Sequence, residues 1–410
     1  MTDVAPENEA QVADFLRWAL AEEVPVELIG NGSKRGLGSA VQSTHTLSLR
    51  AMAGIALYEP EELVLRALPG TTIAEIADTL AAKNQMLAFE PPDWAPLFGA
   101  PAGSGTLGGA IGCNLAGPRR IRHGAARDHL LGFRAVNGRG ESFKSGGRVM
   151  KNVTGYDLSK LMAGSMGTLA AMTEITLKVL PRAERLRTVL LYGFEPDAAN
   201  RAMVRAQQLP FEATGAAYLP ANVAAQSAVD MVRAPGGSVT AIRLEGAPES
   251  TADRCARLRT LLRQEGGMPD EELHGMRSGA FWQEVADVAP LLRDPGATIL
   301  RLLLPPAAGG AALMAMDARK VAARPIVTDK AGPDSRALAA YLDWGGGALW
   351  VAGRDPRALS EAARDVAREF GGIVQPIRNA PAGLQAPDEL ARAIKAAFDP
   401  RGILNPGRMG

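Results

Sequence analysis

Three glycines in the segment GSGTLGGAIGCN (103–114) have the spacing of a dinucleotide-binding fingerprint. Gly103, Gly105 and Gly108 match G-x-G-x-x-G. In a nicotinamide-binding fold this turn directly follows a buried strand, which aims the turn and the next helix at a pyrophosphate. Here four prolines stand between residues 91 and 101, and proline removes the N–H that a central strand needs. These glycines therefore indicate another kind of anion site.

Two glycine-rich loops could together form such a site. Gly30, Gly32 and Gly36 follow the apolar segment VELI, and residues 106–109 open a short helix. Glycine lets the backbone approach a phosphate, consecutive N–H groups form an anion cradle, and a helix N-terminus adds its dipole. Taken alone, each loop is more simply a tight turn. Together they predict a cradle that approaches two sides of one extended ligand.

The composition argues against several other classes of protein. A net charge of +1 over 410 residues, without a basic stripe, argues against nucleic-acid binding. Cys113 and Cys255 are far apart, and no two of the four histidines have metal-ligand spacing, so neither a disulfide framework nor a metal or iron–sulfur site is expected. The acidic N-terminus argues against a secretory signal, and no long apolar segment predicts a membrane span. We expect a cytoplasmic protein.

The hydrophobic pattern changes near Pro181. Before it, short strands alternate with glycine-rich turns, and a helix begins after Thr72, whose hydroxyl is expected to cap it. After it, longer strands alternate with amphipathic helices, which predicts an α+β domain with an antiparallel sheet. We therefore predict three parts: residues 1–182, residues 183–385, and a C-terminal helix and tail at 386–410.

Six segments resemble, in order, the FAD-binding domain of the vanillyl-alcohol oxidase and p-cresol methylhydroxylase (PCMH) family. They are IGNGSKRGLG, LPGTTIAEI, TLGGAIGCNLAGP, HGAARDHLLGFRAVNGRGE, GGRVMKNVTGYDLSKLMAGSMGTLAAMTEITLKVLP and FDPRGILNPGRM. The resemblance implies an α+β protein with a PCMH-type, two-subdomain FAD-binding domain at 1–182 and an α+β cap domain at 183–385. It also implies that the tail at 386–410 returns to the FAD-binding domain.

Within this family, the segments are most similar to the FAD-binding subunits of bacterial glycolate oxidases. The resemblance implies oxidation of glycolate, or a similar 2-hydroxy acid, to glyoxylate, with electron transfer to an iron–sulfur subunit and a quinone. A larger FAD-linked subunit is the other implied partner, and any membrane contact is peripheral, at the inner face, through that complex. Two alternatives stay open: a self-sufficient FAD-dependent 2-hydroxyacid or alditol oxidoreductase, and a non-catalytic assembly subunit.

The resemblance also implies which residues contact FAD. These are Gly30, Asn31, Gly32, Ser33, Lys34, Pro69, Gly70, Thr106, Leu107, Gly108, Gly109, Ile111, Gly112, Asn114, Gly117, Glu174, Ile175 and Asn405. No histidine stands at Ser33, where some relatives attach the flavin covalently, so a non-covalent FAD is predicted. Lys151, Asn152, Tyr156 and Asp157 match family positions near the core of this domain, and structural roles are expected for Tyr156 and Asp157.

The catalytic residues stay unknown at this stage. His123 and His129 are candidate bases, although a lone histidine near a turn is more often structural. Arg119 and Arg120 could clamp a carboxylate, or they could be surface or subunit contacts. Catalytic relatives read Gly-Ser-Glu-Gly where this chain has Met166 in place of the glutamate, so a complete 2-hydroxyacid site is not predicted.

Overall fold

The computed structural model describes residues 2–147, 156–264, 270–319, 338–381 and 388–409. The strands are β1 (Thr2–Val4), β2 (Val26–Ile29), β3 (His45–Ser48), β4 (Ile55–Glu59), β5 (Val64–Ala67), β6 (Gln85–Met86), β7 (Leu130–Asn137), β8 (Ser142–Gly146), β9 (Ala170–Lys178), β10 (Leu180–Pro181), β11 (Arg185–Tyr192), β12 (Gly215–Leu219), β13 (Val239–Gly246), β14 (Asp270–His274), β15 (Thr298–Leu303), β16 (Ala339–Asp343), β17 (Ala348–Gly353) and β18 (Ile373–Arg378). The helices are α1 (Glu9–Ala21), α2 (Ile73–Ala81), α3 (Leu107–Gly112), α4 (Arg120–His123), α5 (Ala126–His129), α6 (Leu158–Met162), α7 (Pro196–Gln208), α8 (Ala221–Ala224), α9 (Asp230–Arg233), α10 (Pro248–Gln264), α11 (Gly275–Ala286), α12 (Gly309–Ala318), α13 (Pro356–Glu369) and α14 (Glu389–Phe398).

The chain divides into two compact units. Unit 1 comprises Met1–Ala116, Gly124–Arg182 and Gln385–Gly410, and unit 2 comprises Gly117–His123 and Ala183–Leu384. The short segment 117–123 therefore belongs to unit 2, whereas the predicted division placed it in the FAD-binding part.

Unit 1 contains two main sheets within the described residues. A parallel sheet has the order β1-β3-β2, and an antiparallel sheet has the order β4-β5-β9-β7-β8. On the first sheet, Leu16 of α1 packs with Val26 and Leu404. On the second, apolar residues of α2 and α3 are buried in one cluster with Ile175 of β9. The helix predicted after Thr72 is confirmed, because the Thr72 hydroxyl accepts a hydrogen bond from the Glu75 amide.

Unit 2 is built on an antiparallel sheet with the order β14-β11-β13-β12-β16-β17-β15-β18 among the described residues. Every second residue along these strands points to one face of the sheet. Ile242, Leu300 and Val351 on that face are buried in the same apolar cluster as Met203 of α7 and Leu359 of α13. This alternation is the period of two expected for a strand that is covered on that face by helices. The predicted α+β class with an antiparallel sheet is confirmed.

A buried ionic network holds the segment 117–123 within unit 2. The guanidinium of Arg119 makes two parallel contacts with the Glu245 carboxylate, at 2.7 Å (Nη2–Oε1) and 3.0 Å (Nε–Oε2). The fully buried Arg243 lies 3.7 Å from the same carboxylate. Burial alone would raise the pKa of Glu245, but the charges of Arg243 and Arg119 outweigh it and lower the pKa to about 2. The pair is therefore ionised at neutral pH.

This network predicts an acid-sensitive stability of unit 2. Because the pKa of Glu245 is lower in the folded protein than its ordinary 4.5, its contribution is present above pH 4.5 and is lost as the pH falls towards 2. The shift corresponds to about 3 kcal/mol. We expect Glu245→Gln to flatten the pH dependence of the free energy of urea unfolding over that range.

The exposed Glu361, on α13, is the matched control. Glu361→Gln should leave the pH dependence as in the wild type, because substitution of an exposed side chain usually changes the free energy of unfolding by no more than about 0.5 kcal/mol. An unchanged slope in Glu245→Gln would contradict the assignment.

Candidate functional site

A cleft in unit 1 lies among the loop after β2, helix α3 and the tail that follows α14. Its lining comprises Leu28, Ile29, Gly30, Asn31, Gly32, Ser33, Lys34, Arg35, Leu37, Leu49, Pro69, Thr106, Gly108, Gly109, Gly112, Cys113, Met166, Gly167, Ala170, Met172, Asn405 and Arg408. Its enclosed volume is about 110 Å³. Small-molecule pockets usually enclose about 300–1,000 Å³. The cleft therefore encloses only part of a dinucleotide-sized ligand.

The loop after β2 offers hydrogen-bond donors to this cleft. The backbone N–H groups of Asn31, Gly32, Ser33 and Lys34 have no acceptor among the residues that the structure describes. Gly32 has a φ of +73°, a left-handed conformation that favours glycine. Consecutive free N–H groups in such a turn form a concave anion site. This loop has the chemistry of a phosphate cradle.

Helix α3 does not supply free amides, which corrects one expectation. The Leu107 amide donates to Thr71 O and the Gly108 amide to Pro69 O, both at 2.8 Å, while the Gly109 amide donates to the Thr106 hydroxyl at 3.3 Å. These donors are satisfied inside the protein because α3 packs directly on the loop at Pro69.

The Lys34 ammonium group supplies a positive charge beside the first turn of α3. The Lys34 Nζ atom lies 3.2 Å from the place that a Cβ atom on Gly109 would occupy. It also donates a hydrogen bond of 3.3 Å to the Ser33 hydroxyl. Within the described part of the chain, no carboxylate lies within 4 Å of this ammonium. Lys34 therefore provides a charge at the end of α3 where free amides were expected.

The tail after α14 forms another wall of the cleft. The Asn405 side chain accepts a hydrogen bond from the Leu28 amide at 2.8 Å and donates to Met166 O at 2.7 Å. Arg408 donates to Arg35 O at 2.6 Å and lies 3.1 Å from the buried Glu27 carboxylate. The tail thus fixes both β2 and the loop that follows it.

The charge of the site is positive. Lys34, Arg35 and Arg408 line the cleft, and Glu27, which is paired with both arginines, lies behind them. Three cations and one carboxylate give a formal charge of +2. This charge matches the two negative charges of a pyrophosphate diester.

The structure brings eleven of the predicted site residues to the cleft. They are Gly30, Asn31, Gly32, Ser33, Lys34, Pro69, Thr106, Gly108, Gly109, Gly112 and Asn405. The other seven do not line it: Gly70, Leu107, Ile111, Asn114, Gly117, Glu174 and Ile175.

These seven residues have other surroundings. Leu107, Ile111 and Ile175 belong to the apolar core of unit 1. Glu174 lies 3.5 Å from Arg66, and the Asn114 side chain accepts a hydrogen bond from the Arg127 amide at 3.0 Å. A Cβ on Gly70 would lie 2.4 Å from Leu49 O, and Gly117 O accepts a hydrogen bond from Trp344 inside unit 2. Contact of these seven residues with a ligand stays a prediction.

Several lining residues were not among the predicted contacts. Arg408 belongs to the tail segment that resembles the family, so the sequence carried a signal for this residue. From that segment, however, only Asn405 was predicted to contact the cofactor. Met166 stands where the sequence departs from its catalytic relatives, and neither Met166 nor Cys113 was predicted to contact the cofactor. Burial raises the pKa of the Cys113 thiol, and the smaller opposing effects of Lys34 and Arg408 do not reverse this.

The candidate catalytic residues do not line this cleft. Arg119 is committed to Glu245, and the Arg120 guanidinium lies 4.6 Å from the ring centre of Trp344 in unit 2. His129 is buried in unit 1 with its ring 5.5 Å from Phe89, and His123 ends α4 in unit 2. In the described ranges, no group of three or more histidine, cysteine or acidic side chains is placed to hold a metal.

Two structural expectations had different outcomes. The Asp157 carboxylate accepts a hydrogen bond from the Lys160 amide at 3.3 Å and so caps α6, as expected. Tyr156 is 90% exposed, which does not support the structural role expected for it. Lys151 and Asn152 lie outside the described residues.

No helix in the described part of the chain is both long and apolar enough to cross a bilayer.

Comparison with known proteins identifies the ligand class. A family model described as "FAD binding domain" matches residues 2–146, and one described as "FAD linked oxidases, C-terminal domain" matches residues 387–409. Glycolate oxidase subunit GlcE of Escherichia coli (strain K12) is 33% identical over 396 residues, which cover 95% of this chain and 94% of that protein. Glycolate oxidase subunit GlcD of Bacillus subtilis (strain 168) is 29% identical over 201 residues, or 49% of this chain and 41% of that protein.

Among solved structures, p-cresol methylhydroxylase has a similar fold. Its TM-score is 0.72 at 14% identity, and the match covers 100% of this chain and 88% of that one. The predicted PCMH-type fold and the predicted FAD are confirmed. The chain therefore belongs to the family of FAD-linked oxidoreductases that includes glycolate oxidase subunit GlcE.

Proposed function

We propose that this chain is the FAD-carrying subunit of a heteromeric glycolate oxidase. The complex would oxidise glycolate, or a similar 2-hydroxy acid, to glyoxylate and pass electrons through an iron–sulfur subunit to a quinone. The observation that carries the proposal is the 33% identity to GlcE along nearly the whole of both chains. Its proposed location is the cytoplasm, at the inner face of the membrane only through the complex.

The cleft fits the pyrophosphate of FAD. The free amides of residues 31–34 and the Lys34 ammonium would hold the phosphate oxygens, and the positive charge of the site would offset their negative charge. Gly112 contributes space, because a Cβ built there meets no atom within 4 Å. The groups that the described residues offer are thus donors, a cation and open space, which are what a pyrophosphate requires.

The flavin, when bound, supplies the two-electron redox chemistry, and the protein sets its position and electrostatic surroundings. The chain's two cysteines cannot hold a four-cysteine iron–sulfur cluster. This count supports a role within a complex that includes an iron–sulfur subunit.

Gly112→Val tests where the cofactor lies. A valine side chain should enter the open space of the cleft without a clash with the protein. We therefore expect a folded chain whose affinity for FAD is lower by about tenfold or more. FAD content per chain after purification, and a dissociation constant from flavin fluorescence, measure the effect. Gly237→Val is the matched control, because Gly237 also has open space but lies in unit 2.

Gly112→Val separates cofactor exclusion from damage to the fold better than Gly108→Val does. A Cβ on Gly108 would lie 2.8 Å from the Pro69 Cβ, so that variant is expected to disturb α3 itself. Normal FAD content in Gly112→Val would mean that the cofactor does not occupy this cleft.

Acid precipitation tests whether the FAD is non-covalent. Ser33 cannot form the histidyl link of some relatives, and the raised pKa of the Cys113 thiol keeps it protonated and poorly nucleophilic at neutral pH. We expect the yellow flavin in the supernatant and an unmodified chain mass in the pellet. Flavin retained in the pellet would contradict the prediction.

Anaerobic titration with glycolate tests the proposed dependence on partners. The flavin absorbance of the isolated chain should stay unchanged, whereas the complex co-expressed with a larger flavoprotein subunit and an iron–sulfur subunit should be bleached and should reduce a dye. Bleaching of the isolated chain would show a self-sufficient enzyme. A purified chain without flavin would point to an assembly subunit.

A further inference from the structure

Carbonyl groups of the loop after β2 are held by the protein, while its amides stay available. The Gly32 carbonyl accepts a hydrogen bond of 3.2 Å from the Arg35 amide, which is a bond within the loop itself. The Gly30 carbonyl is held differently, because the Ser48 hydroxyl of β3 donates to it at 2.9 Å. A side chain from another strand thus fixes the first peptide of the cradle.

Strand pairing places the Ser48 hydroxyl beside this carbonyl. Ser48 is the last residue of β3, which lies between β1 and β2, and its register partner on β2 is Ile29. Gly30 is the next residue after Ile29. Ser48 is 1% exposed, and a carbonyl that loses a buried donor is left as an unsatisfied acceptor. The hydroxyl is therefore both close to Gly30 and difficult to replace.

The backbone at Gly30 is also confined by α3. A Cβ atom on Gly30 would collide with the hydroxyl of Thr106, the N-cap of α3, so only glycine permits this close approach. Thr106 is itself buried, and its hydroxyl accepts a hydrogen bond from the Gly109 amide at 3.3 Å. The first peptide of the cradle is thus held by a hydrogen bond at its carbonyl and by close packing at Gly30.

A carbonyl that is held in this way also aims the amide that follows it. A peptide unit is planar, and in the trans form its C=O and N–H groups point in opposite directions. Because the Gly30 carbonyl points towards Ser48, the Asn31 amide points away from Ser48. Gly30 and Asn31 line the cleft and Ser48 does not. Ser48 therefore orients a hydrogen-bond donor of the cleft from behind it.

We propose that Ser48 is a positioning residue of the cofactor site, which aims the Asn31 amide at a phosphate oxygen of FAD. This inference rests on the proposed place of the FAD pyrophosphate in the cleft. Ser48 does not touch the cofactor and acts through the Gly30–Asn31 peptide. Its hydrogen bond restricts that peptide before FAD binds, so less binding free energy is lost in ordering the amide.

Three substitutions at Ser48 test this role. Ser48→Ala removes the donor, and Ser48→Cys replaces it with a weak donor of similar size, so each should raise the dissociation constant of FAD by about three- to tenfold. Ser48→Thr keeps the hydroxyl and should bind FAD about as the wild type does. The constants are measured on the full chain by flavin fluorescence.

Ser43→Ala is the matched control. Ser43 lies just before β3, and its hydroxyl also donates to a backbone carbonyl, that of His45, at 3.0 Å. Ser43 does not line the cleft. This variant loses a hydrogen bond of the same kind and should keep the wild-type dissociation constant for FAD.

Phosphorus NMR of bound FAD separates a positioning role from a general loss of stability. The two phosphorus nuclei of FAD respond to the hydrogen bonds that their oxygens accept. Ser48→Ala should therefore shift at least one resonance of the bound cofactor, and Ser43→Ala should shift neither. Thermal unfolding of the FAD-free chains reports the stability of each variant separately.

Wild-type FAD affinity in both Ser48→Ala and Ser48→Cys would overturn the inference. Weaker binding with unshifted resonances would give Ser48 a role in loop stability alone and also overturn it, as would Ser48→Thr binding FAD as weakly as Ser48→Ala. Normal FAD content in Gly112→Val would overturn the proposed place of the cofactor and this inference together. Weak binding in Gly112→Val with normal binding in the Ser48 variants would overturn this inference alone, so the two failures are distinguishable.

Discussion

Glu27 on β2 and Arg408 in the C-terminal tail form an ion pair at 3.1 Å, with both side chains buried. Removing one member of a buried pair leaves an uncompensated charge, which typically costs about 3–5 kcal/mol. Arg408 also donates to Arg35 O and Leu37 O, and Glu27 also pairs with Arg35. The tail, the strand and the loop therefore depend on one another, and the cleft that they line keeps its shape only while they are held together.

This arrangement explains why the cradle is asymmetric. The loop after β2 is fixed largely through its carbonyl groups and Glu27, so the amides of residues 31–34 stay available to a ligand. Helix α3 is fixed in the opposite way, because Thr71 and Pro69 accept hydrogen bonds from its first amides. Lys34 then provides the positive charge near α3, so the cleft presents amides on one side and an ammonium on the other.

Local sequence patterns predicted the elements well. The Thr72 cap was predicted from residues close in sequence and is present, and the hairpin of β7 and β8 likewise joins neighbouring segments. Contacts between distant segments were harder to predict. The pairing of Arg408 with Glu27 spans 381 residues and has no local signal. For Ile175, the pattern of a strand indicated burial but could not distinguish a core position from one that touches a ligand.

The glycines show the same difference between pattern and packing. Gly108 belongs to the fingerprint spacing, yet the absence of a side chain there is required by Pro69, whose Cβ would be only 2.8 Å away. Gly112 lies outside that spacing, and its missing side chain leaves space in the cleft. A spacing rule cannot separate a glycine that admits a neighbouring loop from one that admits a ligand, because both need only the absence of a Cβ.

The electrostatics of Arg119 bear on whether this side chain could clamp a substrate carboxylate. Its guanidinium is bound by both oxygens of a carboxylate whose pKa is about 2, so releasing it for a substrate would leave the buried Glu245 charge with one arginine fewer. That cost opposes a role of Arg119 as a substrate clamp at any pH at which glycolate is ionised. A charge that stabilises the fold is not free for binding, so the geometry favours a structural role for Arg119 within unit 2.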